Sequence, residues 1–151
     1  MKILVVYDSV YGNTETIAHA IAEALPGEVQ AQRVGETDPV ELASADLLII
    51  GSPTHGALPT EAVQALVDRI GPPAHKGARA ATFDTRLTWG FLERWGGFAA
   101  AKISALLEDK GWTQASEPGG FFVRGLKKGP LKKGEVERAA AWGKDLAGSA
   151  T

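Results

Sequence analysis

The chain of 151 residues is 44% hydrophobic and 23% charged, and its formal net charge at pH 7 is −2. This is the composition of an ordinary globular protein with a substantial core, and so mild a charge gives no general support for binding nucleic acid or an anionic membrane surface. The sequence contains no cysteine. Disulfides, thiolate nucleophiles, thiolate zinc sites and iron–sulfur ligation are therefore excluded.

The first third of the chain predicts a strand, a helix and a second strand. Residues Ile3–Tyr7 form an apolar run typical of a strand covered on both faces. The run is shorter than the roughly 7–15 apolar residues of a secretory signal, so we expect neither a signal peptide nor a membrane span. We therefore expect a cytoplasmic protein. Apolar residues at helical spacing over 17–25 predict a helix that Pro26 and Gly27 end. Alternation over 29–34 predicts an outer strand.

The middle of the chain predicts two more strands with a helix between them. Residues 47–50 are fully apolar and lead to Gly51. Thr60 is a candidate N-cap for a helix that ends at Gly71. The predicted buried face of this helix consists of Val63, Leu66, Val67 and Ile70. Residues 78–83 predict the fourth strand.

The last third predicts a helix, a broken strand and a final helix. The first of these helices ends at Gly111, with Ile103, Leu106 and Leu107 expected to face inward. Residues 112–115 and 120–123 predict two pieces of a fifth strand. The final helix covers 135–146. Its predicted inner face consists of Val136, Ala139, Ala140, Gly143 and Ala147.

Five strands that alternate with helices predict an α/β fold. The expected architecture is a doubly wound five-stranded parallel sheet of order 2-1-3-4-5, in a single domain over 1–151. In such sheets the ligand lies beyond the carboxyl ends of the strands, where the strand order reverses. The segments 8–14, 51–60 and 84–95 therefore predict the functional site.

The loop after the first strand is rich in hydrogen-bond donors and contains no Lys or Arg. Its six residues are Ser9, Val10, Tyr11, Gly12, Asn13 and Thr14. Two hydroxyls, a glycine and a helix N-terminus can hold a terminal phosphate by hydrogen bonds alone. The alternative is an ordinary strand–helix turn with a Ser or Asn cap. A P-loop and a dinucleotide fingerprint are poor fits, because neither the lysine nor the G-x-G-x-x-G pattern is present.

This Ser-x-Tyr-Gly-Asn-Thr loop resembles the FMN phosphate loop of the flavodoxin family. The resemblance covers essentially the whole chain, whose length is similar to that of short-chain flavodoxins. It implies a flavodoxin-like fold and one non-covalently bound FMN, held in part by all six residues of the loop. It also implies one-electron exchange with a reductase and an acceptor protein, without catalytic residues or a metal.

The loop after the third strand resembles the second flavin loop of the family. This implies that the cofactor is also contacted by Pro53, Thr54, His55 and Gly56. His55 takes the place of an aromatic ring that often packs beside the flavin, unless it is buried in a plain loop. Gly56 matches a glycine whose peptide can turn over toward the reduced flavin, which only glycine tolerates cheaply.

A third flavin loop is expected to begin at the end of the fourth strand. The resemblance places there Asp84, Thr85, Arg86 and Trp89. Asp84 can accept a hydrogen bond from the ring or the ribityl chain. Arg86 either lies beside the ring, where it would favour the anionic reduced form by Coulomb attraction, or faces solvent and meets a partner. Trp89 is the predicted stacking residue, with Phe91 and Trp95 as competitors.

Two other functions compete with the electron carrier. One is an FMN-dependent oxidoreductase on the same fold, such as a quinone reductase or a protoporphyrinogen oxidase. The other is a signalling receiver domain, which needs an aspartate at the end of the third strand, where this chain has Gly51, Ser52 and Pro53. A basic segment after the fifth strand is either a docking patch for an acidic partner or a solvated loop. We expect a monomer or a weak dimer.

Overall fold

The computed structural model describes residues 1–87, 97–125 and 129–149. Its strands are β1 (Ile3–Tyr7), β2 (Ala31–Arg33), β3 (Leu47–Pro53), β4 (Arg79–Leu87), β5 (Thr113–Gln114) and β6 (Gly119–Val123). Its helices are α1 (Asn13–Ala24), α2 (Pro39–Ala43), α3 (Glu61–Arg69), α4 (Ala99–Asp109) and α5 (Glu135–Ser149). The three aromatic residues proposed for stacking, Trp89, Phe91 and Trp95, lie outside the described residues.

The strands form one parallel sheet in the predicted order. β1 lies between β2 and β3, and β4 follows β3. The next position is shared, because β5 pairs with residues 79–80 of β4 and β6 pairs with residues 83–87. The fifth strand therefore consists of two pieces, as the sequence predicts. The strand order reverses between β1 and β3, and the crevice at their carboxyl ends is where doubly wound sheets bind ligands.

Helices cover both faces of the sheet and enclose two apolar cores. On one face α1 and α5 pack against β1, with Ile17 and Ile21 fully buried. The two helices approach closely at Gly143, where a Cβ would lie 3.1 Å from the carbonyl oxygen of Ile21. On the other face α3 and α4 pack against β3, and all four residues predicted for the inner face of α3 are buried.

Two inward-facing residues were predicted wrongly. Leu106 is 38% exposed, because the buried stripe of α4 runs through Ile103 and Leu107 and leaves Leu106 beside it. Val136, at the start of α5, is 40% exposed. Leu146, near the other end of this helix, is buried instead. Both errors concern apolar residues at the border of a helical stripe, where spacing alone does not decide burial.

One helix has no periodic signal in the sequence. α2 begins at Pro39, whose fixed φ suits the first helical position, and Asp38 accepts a hydrogen bond from the N–H of Val40 at 2.9 Å. Leu42 is the one residue of this five-residue helix that is buried. A single buried residue cannot produce a recognisable period.

β4 is longer than predicted, which changes the position of three site residues. Asp84, Thr85 and Arg86 belong to β4 and do not open a loop. Thr85 pairs with Pro53 of β3 and with Phe121 of β6, so hydrogen-bonding partners on both sides keep the strand extended. The polar residues at 84–86 indicate a loop when the sequence is considered alone, because the pairing with β3 and β6 is not visible there.

None of the helices in the described part of the chain has the length and apolarity that crossing a bilayer requires.

Candidate functional site

A cleft opens at the carboxyl ends of β1, β3, β4 and β6. The empty space within it is about 480 Å³ when the part open to solvent is included. Its walls are formed by Ser9, Val10, Tyr11, Asn13, Thr14, Pro53, Thr54, His55, Thr85, Arg86, Leu87, Val123 and Gly125. The cleft therefore lies where the strand order predicts a ligand.

The first loop presents a helix N-terminus to this cleft. Gly12 has a φ of 94°, a left-handed conformation that a side chain would strain, and its N–H donates to Oγ of Ser9 at 3.0 Å. No side chain in the described residues caps α1, which begins at Asn13. The first N–H groups of a helix have no acceptor within the helix, so they are available to an anion in the cleft.

A pair of buried hydroxyls forms the floor beside this N-terminus. Oγ1 of Thr14 and Oγ1 of Thr85 are 2.8 Å apart and share one hydrogen bond, and the two side chains are 1% and 5% exposed. Each hydroxyl carries one hydrogen, so the pair keeps a second hydrogen that is not used between them. Both residues line the cleft, so a ligand there could accept this hydrogen.

Arg33 contacts the first loop but does not line the cleft. Arg33 of β2 donates to the carbonyl of Ser9 at 3.3 Å and pairs with Glu15 at 3.2 Å. Glu15 also accepts from the hydroxyl of Tyr7 at 2.9 Å, and this hydrogen bond, more than Arg33, lowers the pKa of Glu15. Burial raises the pKa of the Tyr7 phenol. Arg33 thus braces the loop, and the loop's own donors face the cleft.

The second loop brings an exposed imidazole to the opposite wall. The ring of His55 lies 6.4 Å from that of Tyr11, centroid to centroid, at an interplanar angle of 59°. His55 and Leu58 exchange two backbone hydrogen bonds across a tight turn, in which Gly56 has φ 57° and Ala57 has φ 68°. His55 is therefore exposed on the cleft, and the alternative of a buried histidine in a plain loop is wrong.

Asp84 and Arg86 form a buried ion pair in the wall formed by β4. Nε and Nη2 of Arg86 donate to the two carboxylate oxygens at 2.6 and 2.8 Å, and the carboxylate also accepts the N–H of Ala100 at 2.9 Å. Burial raises the pKa of the Asp84 carboxyl, while these hydrogen bonds act in the opposite direction. Asp84 is fully buried, does not line the cleft, and holds Arg86 and α4.

The guanidinium of Arg86 is confined on its other sides as well. It lies over the ring of Phe98, 3.6 Å from the centroid, and any Cβ at Gly120 would collide with it. The expectation of a free cation at the cleft therefore needs correction, because Asp84 compensates the charge. Arg86 still contributes a wall of the cleft.

A family model described as a flavodoxin domain matches residues 4–88, which is more than half of the chain. The chain belongs to the flavodoxin family. Flavodoxins are FMN-binding electron carriers, so FMN is the cofactor of this protein. This agrees with the resemblance that the first loop carries.

Solved structures of other flavodoxins share the fold of this one over the whole chain. Flavodoxin 2 from Bacillus cereus matches with a TM-score of 0.80 at 24% identity, covering 98% of this chain and 99% of that chain. A short-chain flavodoxin associated with a non-canonical PDU bacterial microcompartment matches with a TM-score of 0.80 at 17% identity and full coverage of both chains. A flavodoxin from the domain Archaea gives 0.77 at 22% identity, covering 99% of each chain.

In this flavodoxin, most of the predicted site residues come together around one cleft. Ten line it: Ser9, Val10, Tyr11, Asn13, Thr14, Pro53, Thr54, His55, Thr85 and Arg86. Gly12 and Gly56 shape the first two loops through their positive φ without lining the cleft, and Asp84 lies behind Arg86. Trp89 lies outside the described residues.

Three lining residues were missed. Leu87 ends β4, while Val123 and Gly125 end β6 and follow it. The rule that places ligands beyond the carboxyl ends of parallel strands applies to the fifth strand too, and extending it there would have included Val123 and Gly125.

Proposed function

We propose that this flavodoxin holds FMN in the described cleft and exchanges single electrons with redox partner proteins, rather than turning over a substrate of its own. The observation that carries the proposal is the donor set at the carboxyl ends of β1 and β4. The uncapped N-terminus of α1 and the Thr14–Thr85 hydroxyl pair converge there. The first loop itself contains no basic residue. This chemistry suits a phosphate ester held by neutral donors.

The residues of the cleft fit the two ends of FMN. Ser9, Gly12, Asn13 and Thr14 surround the uncapped end of α1 and would hold the phosphate. Tyr11 and His55, whose rings lie 6.4 Å apart on the cleft at a tilt of 59°, would contact the flavin ring.

Bound FMN supplies the redox chemistry, and the protein supplies position and electrostatics. We also propose that 1–151 is one FMN-binding domain, because one sheet joins β1 to β6 and the last helix, α5, packs against α1. The stacking role of Trp89 stays a prediction.

The carrier is favoured over an FMN-dependent oxidoreductase by the lining of the cleft. Among the described lining residues the ionisable side chains are Tyr11, His55 and Arg86, and Arg86 is paired with Asp84. These residues do not include a carboxylate or lysine that could pair with His55 for acid–base work. Purified protein loaded with FMN should give no steady-state oxidation of NADH or NADPH with a quinone acceptor. Sustained turnover would contradict the carrier.

The phosphate site is tested by comparing FMN with riboflavin, which lacks the phosphate. Each hydrogen bond to a charged group contributes about 1.5–3 kcal/mol, so Thr14→Val should weaken FMN about 10–100-fold. Riboflavin should bind the unmodified protein far more weakly than FMN, and Thr14→Val should change its affinity little. The measurement is a fluorescence titration of each flavin.

The matched control is Thr113→Val, the same chemical change on the exposed β5 away from the cleft. It should leave both affinities unchanged. Equal affinities of the unmodified protein for FMN and riboflavin would reject this phosphate site.

A further inference from the structure

The basic charge of this flavodoxin is concentrated in one short segment. Residues 124–133 contain five of the 16 lysines and arginines and none of the 18 acidic residues. The other 141 residues therefore carry 11 basic and 18 acidic side chains, a formal charge of −7 against +5 for the segment. Opposite charges so unevenly distributed create a strong local field despite the mild net charge of −2.

The described part of this segment folds back on β6. The N–H of Arg124 donates to the carbonyl of Pro130 at 2.7 Å, and the N–H of Lys132 donates to that of Phe122 at 2.9 Å. Val123 and Leu131 form an antiparallel bridge between the two arms. We call this unit, residues 122–125 and 129–133, the basic hairpin.

Gly129 allows the arms of the basic hairpin to meet. Any Cβ on Gly129 would run into the backbone of Gly125. The arms therefore lie in direct backbone contact, next to the point where Gly125 lines the cleft.

The charges of the basic hairpin are available to a partner. Arg124 and Lys133 are exposed and Lys132 is half-buried, and none of the ion pairs found among the described residues involves any of the three. Lys132 does interact with the carboxylate of Glu135, whose pKa is lowered mainly by Arg138 and to a smaller extent by Lys132. Lys127 and Lys128 add to the charge but lie outside the described residues.

The basic hairpin adjoins the cofactor cleft directly. Val123 and Gly125 line the cleft, and Nδ2 of Asn13, in the first loop, donates to the carbonyl of Gly129 at 2.6 Å. Two acidic residues flank the first loop: Asp8 accepts the N–H of Ser9, and Glu15 pairs with Arg33. Positive charge therefore borders the site where electrons would enter and leave.

We propose that the basic hairpin docks a redox protein with an acidic surface and so brings that partner's redox centre to the cleft. This inference rests on the proposed function. An anionic membrane is a weaker candidate, because nothing but charge would direct the hairpin to it, whereas a redox partner also requires the neighbouring cleft. Electrostatic attraction of this kind raises the association rate and is screened by salt.

The test uses two soluble haem proteins of opposite charge as electron acceptors, the acidic haem domain of cytochrome b5 and the basic cytochrome c. Stopped-flow absorbance measures the rate at which the reduced, FMN-loaded protein reduces each acceptor, from about 0.02 to 0.5 M ionic strength. A docking hairpin makes the rate with cytochrome b5 fall about tenfold as salt rises. If the whole-molecule charge of −2 governed the encounter, that rate would rise with salt instead.

Two variants with the same change in net charge locate the effect. In the first, Arg124→Gln, Lys132→Gln and Lys133→Gln remove the described charges of the hairpin. The control removes three exposed charges elsewhere, through Arg69→Gln, Lys76→Gln and Lys144→Gln. In the hairpin variant, the rate of cytochrome b5 reduction should no longer fall as salt rises. In the control variant, it should still fall. Equal behaviour of the two variants would overturn the proposal.

Two further outcomes separate this proposal from the function on which it rests. If the reduced protein exchanges electrons with cytochrome c, and its rate with cytochrome b5 rises with salt, the carrier stands and the docking surface is rejected. If it reduces neither acceptor, the carrier function itself is rejected. Finally, if the hairpin variant loses binding to vesicles with about 30% phosphatidylserine but keeps the unmodified kinetics with cytochrome b5, the hairpin is a membrane-binding surface.

Discussion

At the scale of single residues, the ion pair of Asp84 and Arg86 contributes both to the wall of the cleft and to the stability of the fold. Arg86 lines the cleft with its side chain 16% exposed, and Asp84, whose side chain is 0% exposed, lies behind it and pairs with it. A free arginine at this place would stabilise negative charge on a bound ring. Because Asp84 compensates that charge, we expect the pair to act mainly by holding the wall and the start of α4 in position.

Arg86→Gln should therefore lower stability rather than simply change the charge near the cofactor. It leaves the Asp84 carboxylate buried without its cation, which costs about 3–5 kcal/mol in comparable cases. The pKa of Asp84, already raised by burial, should rise further. An acid whose folded pKa is raised loses stability as pH rises, so the deficit should be larger at pH 7 than at pH 4.

Urea unfolding of the apoprotein at both pH values measures this effect. The matched control is the double variant Asp84→Asn with Arg86→Gln, which removes both charges and should lose less than Arg86→Gln alone at pH 7. A deficit that is the same at pH 4 and pH 7 would show that Asp84 is not the cause.

At the scale of elements, the turn from His55 to Leu58 sets the shape of the second loop. Its two central residues both have positive φ, as a type I′ turn requires, and the two hydrogen bonds between His55 and Leu58 close it. Gly56 adopts this conformation without strain, whereas Ala57 does so at a cost. The turn places His55 at the cleft without using the side chain of either central residue.

Gly56→Val should destabilise this turn. A β-branched residue at φ 57° costs about 1–2 kcal/mol, and the displaced loop should weaken FMN because Thr54 and His55 line the cleft. The control is Gly71→Val, at a glycine without positive φ and with open space around it. Thermal unfolding and FMN titration measure both effects, and similar losses in the two variants would remove the special role of Gly56.

At the scale of the whole molecule, carboxylates connect elements that are distant in the sequence. Glu135 at the start of α5 accepts the N–H of Phe122 in β6 at 2.6 Å and pairs with Arg138 at 2.7 Å. Asp46, before β3, accepts the N–H of Lys2 and contacts His75 at 2.7 Å. The pKa of Glu135 is lowered first by Arg138, and that of Asp46 first by the Lys2 N–H.

These pKa shifts predict how the free energy of unfolding decreases in acid. A carboxyl whose folded pKa is lowered stabilises the fold above its unfolded pKa, and this contribution is lost as pH falls through the folded value. The ordinary values are 4.5 for Glu135 and 3.8 for Asp46, so unfolding should become easier below about pH 4.5. Asp84 acts in the opposite direction because its pKa is raised.

Glu135→Gln should make the dependence of stability on pH shallower, since glutamine cannot ionise. It should also lower stability at pH 7, because glutamine pairs less well with Arg138. The control is Glu137→Gln, an exposed carboxylate on the same helix. The urea midpoint, measured from pH 7 to pH 3, should change its slope in Glu135→Gln only. An unchanged slope there would contradict the assignment.

The sequence by itself determined the architecture and most of the cleft. Fully apolar runs separated by amphipathic helices require a parallel sheet covered on both faces, and its order places the ligand beyond β1 and β3. Ten of the 14 residues predicted to bind the cofactor line the cleft for this reason. The composition of the first loop by itself predicts a phosphate site, because its donors and its glycine act locally.

Only the tertiary structure decided the features that depend on partners distant in the chain. Residues 84–86 extend β4 because β3 and β6 pair with it on both sides, although their polar sequence indicates a loop. Arg86 is neutralised two residues from Asp84 because the extended strand places both side chains on one face. The basic hairpin borders the cleft because Asn13 holds Gly129, 116 residues away. Local sequence encodes propensity, whereas hydrogen-bond partners and compensating charges are known only once the chain has folded.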